Sequence, residues 1–125
     1  MQYDATEQPD PEIWLELDET ERIDLVMDYH RHIGAQLETP ELHAVAHVVV
    51  ENQVALGEVT PVPETLERLL DEGLDRHEAI HAIGSVLMEI MLDTVDKPDD
   101  GSDINARYNR ELALLTAAGW RSQSK

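Results

Sequence analysis

Apolar positions in this chain recur at helical spacing, and no segment alternates as a half-buried strand would, so the pattern predicts an all-α fold. Asp10-Pro11-Glu12 supplies a cap and a proline at the first helical position, opening a short helix from Ile13 to Leu17. Asp18-x-x-Glu21 is a capping box for a second helix, whose apolar stripe Ile23, Val26, Met27 continues into His30. That helix runs to about Ile33 and stops at Gly34. Thr39-Pro40-Glu41 begins a third helix, which reaches Leu56 with Gly57 after it. The turn Thr60-Pro61-Val62-Pro63 leads into a short fourth helix, with Leu66, Leu69 and Leu70 inward and Gly73 as its stop. Asp75-x-x-Glu78 opens a long helix to about Val95, and Lys97 to Gly101 reads as a loop. A last helix from Asp103 to Ala118 would place Ile104, Tyr108, Leu112 and Leu115 on one face, with Gly119 closing it. The expectation is one small bundle of five to six helices over residues 11–120, preceded by a flexible acidic arm (1–10) and followed by a short tail (121–125).

The third helix carries apolar side chains almost all round, as a central element would. Its polar residues are therefore the informative ones. His43, His47 and Glu51 stand at i, i+4 and i+8, which stacks them on one slowly drifting row. The long helix repeats the device with His77 and His81, and Ser85 and Glu89 continue that row. Gly84, one turn away, would let a neighbouring backbone come close. Packed face to face, the two helices would offer four imidazoles and one or two carboxylates to a shared space.

Composition narrows what such a space can hold. The chain has 125 residues, enough for one core, and 42% of them are hydrophobic, so it is expected to fold. No cysteine is present, so any metal must be held by His nitrogen and carboxylate oxygen. Met1 to Gln8 is acidic and polar, unlike a signal peptide, and no apolar run suits a membrane span, which makes a cytoplasmic location the expectation. Twenty-seven acids against nine bases give a formal charge of −18. That surface repels nucleic acid and anionic membranes, and a second copy of the chain remains an admissible partner. With only two lysines (Lys97, Lys125) and no phenylalanine, the composition also suits a salt-rich cytoplasm, where screening removes self-repulsion.

The leading reading is thus a metal-binding bundle with His43, His47, His77 and His81 as ligands, Glu51 as ligand or support, and His30 and Glu89 as further candidates. Imidazole with carboxylate suits zinc best, with iron, nickel or copper as alternatives. Structural, catalytic and sensing roles are all compatible with this set. The rival reading is a non-enzymatic interaction protein whose His–Glu rows form a buried hydrogen-bond network. A lesser one is a zinc hydrolase, because His77-Glu78-Ala79-Ile80-His81 matches H-E-x-x-H with Glu78 as general base. Against it, Glu78 is the third helical residue of the Asp75 capping box and should serve the helix start.

Leu42-His43-x-x-x-His47-x-x-x-Glu51-x-Gln53, then Pro63 to Leu70, then His77-x-x-x-His81-Ala82-Ile83 resemble a family of small prokaryotic helical proteins catalogued only as a domain of unknown function. The resemblance covers the stretch from Leu42 to Glu89 and implies a helical fold without implying an activity. In ligand pattern alone the chain is also similar to the hemerythrins, two-iron four-helix bundles, through His30, His47-x-x-x-Glu51 and His77-x-x-x-His81. It departs from them in the last helix, which lacks their His and Asp and offers only Glu111.

Overall fold

A computed structural model describes residues 2–35, 39–57, 59–96 and 104–123, with no account of the side chains of 94–96 and 123. Among the described residues seven helices follow in order: α1 (Pro11–Glu16), α2 (Glu19–His32), α3 (Pro40–Ala55), α4 (Val62–Asp71), α5 (Arg76–Asp96), α6 (Ile104–Leu114) and α7 (Ala117–Gln123). The described residues contain no strand. The expected loop from Lys97 to Gly101 and the final tail residues 124–125 lie outside the described residues.

Helix starts obey their local chemistry. The Asp10 carboxylate accepts hydrogen bonds from the backbone of Glu12 and Ile13, and Asp18 accepts from Glu21, so the first free amides of α1 and α2 are satisfied. Gly34, Gly57 and Gly73 follow α2, α3 and α4 with positive φ, the left-handed exit that glycine adopts without a Cβ clash.

α3 is the hub. It packs against α1, α2, α4 and α5 and buries Ala44, Ala46, His47, Val48, Val50, Glu51 and Val54. Two apolar clusters flank it. One joins Val50 and Val54 to Leu66, Leu69, Ile80, Ile83, Ile90 and Leu112; the other gathers Tyr3, Ala5, Trp14 and Val26 round Ala44 and Val48. Expected as a loose arm, the N-terminal segment instead lies against the bundle, with Tyr3 5% and Ala5 0% exposed. Tyr3 packs its ring on Trp14, whose indole N–H donates to Asn52 of α3. Burying an aromatic pair with its polar atoms satisfied outweighs the order imposed on a few residues.

The last helix differs from the expectation. It breaks after Leu114, and Gly119 lies inside α7 instead of closing it. The cause is tertiary: Arg68 of α4 donates to the carbonyls of Leu112 and Leu115, while the Glu72 carboxylate accepts from the Ala117 amide. One ion pair at the C-terminal end of α4, Arg68 with the C-cap Glu72, thereby caps the end of one helix and the start of the next. Ile104, expected inward, is 47% exposed, and Leu70 of α4 is 38% exposed. Ile104 is the first residue of α6, at the end of the row that Tyr108 and Leu112 continue inward.

Acids crowd the outside. Glu12, Glu16, Glu19, Glu21 and Asp24 are all exposed along α1 and α2. Charges this close repel across a Debye length of about 30 Å at 0.01 M salt but hardly at about 3 Å in 1 M salt. The thermal midpoint of the metal-free protein should therefore climb steadily from low salt to molar potassium chloride. A midpoint flat over that range would show that the surface charge carries no net repulsion.

Candidate metal centre

Five of the six histidines converge between α2, α3 and α5. His30 arrives from α2, His43 and His47 from α3, and His77 and His81 from α5. Ligand nitrogens of His30, His47, His77 and His81 all lie within 4.8 Å of one another. His43 joins them from one side, its Nε2 3.1 Å from His30 Nε2 and 3.0 Å from His81 Nε2. His77 Nε2 is 3.3 Å from His30 Nε2. His32, the sixth, is exposed on the opposite side of α2.

The nitrogens of the group are close enough to one another to bind a metal ion. Imidazole nitrogens about 2.0–2.1 Å from a tetrahedral zinc stand about 3.3–3.4 Å apart.

The ring tautomers are set from behind. His30 Nδ1 is 2.8 Å from the carbonyl of Val26, an acceptor only, so Nδ1 carries the proton and Nε2 presents its lone pair to the cluster. His47 is positioned by a longer relay. Arg76 grips both carboxylate oxygens of Glu51 at 2.8 and 2.7 Å, and Glu51 accepts the Tyr3 hydroxyl proton in a short hydrogen bond. The Tyr3 oxygen is then free to accept from His47 Nδ1–H at 3.1 Å. Burial, reinforced by the Glu51 charge, raises the Tyr3 pKa well above the usual phenol range, so the phenol stays protonated and keeps donating to Glu51. His47 Nε2 is left buried, without a hydrogen-bond partner, and on the cluster side of a ring 2% exposed. An orphaned buried acceptor of this kind costs free energy unless something binds it.

Electrostatics keeps the rings neutral. Burial, then the neighbouring imidazoles, push His43 down to about 4 and His81 to about 3, and drive His47 lower still. Burial lowers His30 and His77 as well, although Asp75 and Asp4 pull His77 part of the way back. Neutral imidazole is the form that binds metal.

No family model, curated protein or solved structure matches the chain. The reading of the site therefore rests on its geometry.

Each sequence candidate has a definite place in that geometry. His47, His77 and His81 meet as expected of facing rows, and His30 stands among them as a full member of the group. Glu51 faces away, both oxygens engaged by Arg76 and Tyr3, so it orients His47 rather than joining the nitrogens. Glu89 is exposed, at the rim of a pocket beside His43 and His81. Glu78 is exposed too; its backbone N–H donates to Asp75 at 2.9 Å, as a helix start requires, and both motif histidines turn into the cluster. Glu111 lies on α6, which supplies no member of the cluster. Tyr3 and Arg76 were not legible as site residues. Arg76 adjoins His77, a faint signal; Tyr3 gave none, because only the folded bundle creates its slot.

Proposed function

We propose that this protein is a metal-binding helical bundle that holds a divalent transition ion, zinc by preference, on His30, His47, His77 and His81, with His43 beside them. The carrying observation is the His47 Nε2 lone pair, buried and unpartnered, in a ring fixed by Tyr3 and Glu51 among three further imidazoles. An all-nitrogen, sulfur-free set of borderline donors fits zinc, with iron, nickel and copper as neighbours in preference. A hydrolase built on Glu78 gains no support, since that side chain stands outside the cluster.

The test is elemental analysis of purified protein together with titration of chelator-treated protein. At least one equivalent of zinc should bind below micromolar free metal. His47→Ala should weaken that affinity by at least a hundredfold, and His32→Ala should leave it within about threefold. A protein that takes up no metal and is equally stable with chelator would establish the hydrogen-bonded histidine network instead.

A further inference from the structure

A pocket of about 360 Å³ opens directly onto the cluster, within the size range of small-molecule sites. His43, His47 and His81 form its floor. Its walls are apolar: Ala46 from α3, Met88 and Leu92 from α5, and Trp120 from α7. Gly84 lines it where α5 faces α3, at a point where an added Cβ would meet Ala46 at an ordinary contact distance of 3.8 Å. Leu92, at 60% exposure, extends the apolar lining toward solvent.

Resting on the metal reading above, we infer that this pocket receives a small molecule with an anionic, metal-coordinating head and an apolar body, a monocarboxylate of the aliphatic type. Charge supplies the head. Neutral imidazoles bring no negative charge to a divalent ion, and Glu51, the one buried carboxylate among the described residues, is already neutralised by Arg76. Two uncompensated positive charges in an apolar interior are unfavourable until an anion joins them. The pocket gives that anion a route to the His43 and His81 side of the ion, where it would bind as a fifth ligand beside the four imidazoles, and its walls supply the apolar body with a surface. Glu89, exposed on the same pocket, repels an anion at close range, so the attraction for the head must come from the ion and not from the mouth.

Cobalt(II)-loaded protein in 1 M potassium chloride, where surface charge is screened, provides the readout. Acetate, butyrate, hexanoate and octanoate are titrated by calorimetry and by the visible cobalt spectrum, with octylamine and octanol as controls. The carboxylates should change the cobalt bands, and affinity should rise about fourfold per methylene until the body outgrows the pocket. Octylamine should leave the bands unchanged. Ser85→Trp, an exposed rim position on α5, should remove the chain-length gain by at least tenfold while cobalt affinity stays within about threefold. Cobalt bound normally, with acetate and octanoate equivalent or octylamine as effective as octanoate, overturns this inference and leaves the metal reading standing. Protein that binds no cobalt overturns both.

Discussion

Acidifying the metal-free protein from pH 7 to pH 4 should unfold it in a cooperative transition centred between about pH 4 and 6. The sign follows from the imidazoles. An unfolded chain takes up protons on its histidines near pH 6.5, whereas in the folded state burial holds His43 near 4 and His81 near 3. Below pH 6.5 the unfolded state therefore binds more protons, and stability falls with pH until the folded pKa values are reached. At pH 4.5 a group held neutral two units below its free pKa carries a penalty of at most about 2.7 kcal/mol, less for half-buried rings such as these. His30, His47 and His77 act in the same direction. Together they rival a whole domain's stability of about 5–15 kcal/mol. Protonating acids on a surface this negative relieves repulsion, so the crowded exterior does not account for a loss that begins above pH 5. Far-UV circular dichroism against pH in the presence of chelator measures the transition. One equivalent of zinc should move it to lower pH, because the ion binds only the folded cluster. A metal-free protein fully folded at pH 4 would contradict the burial of neutral imidazoles.

Arg76→Met should be among the most destabilising single changes in the chain. It leaves Glu51, 1% exposed, without its cation, and breaking a buried pair from one side costs about 3–5 kcal/mol. For a domain of this size that corresponds to a fall of roughly 10–20 °C in the melting midpoint. Adding Glu51→Leu removes the stranded charge and should restore most of that loss. Metal affinity should not return with it. The double variant leaves Tyr3 without the acceptor that aims it at His47, and losing such outer support typically weakens binding about 10–100-fold. Melting and zinc titration of the single and double variants separate the two effects. A single variant that melts within two or so degrees of the parent would show that Glu51 is not held by Arg76 as described.

How much of this was written along the chain depends on the range of the interaction concerned. Caps at Asp10, Asp18 and Asp75, and glycine exits at Gly34, Gly57 and Gly73, act within one helical turn, so the starts and stops they predict match the structure. The i, i+4 spacing of His43 and His47, and of His77 and His81, is also local, and it fixes one stripe per helix whatever surrounds it. Local chemistry along the chain thus accounts for the helix boundaries from α1 to the start of α5 and for the two histidine rows. What those rows meet depends on packing between helices. His30 joins them because α2 packs on α3 at one angle, and Glu51 turns from the nitrogens because Arg76 and Tyr3 reach it from α5 and the N-terminal segment. The break between α6 and α7 likewise belongs to Arg68 and Glu72, more than 40 residues away along the chain. A buried charge or lone pair takes whichever partner the packing brings nearest, and that choice has no signature in the spacing of residues along one helix.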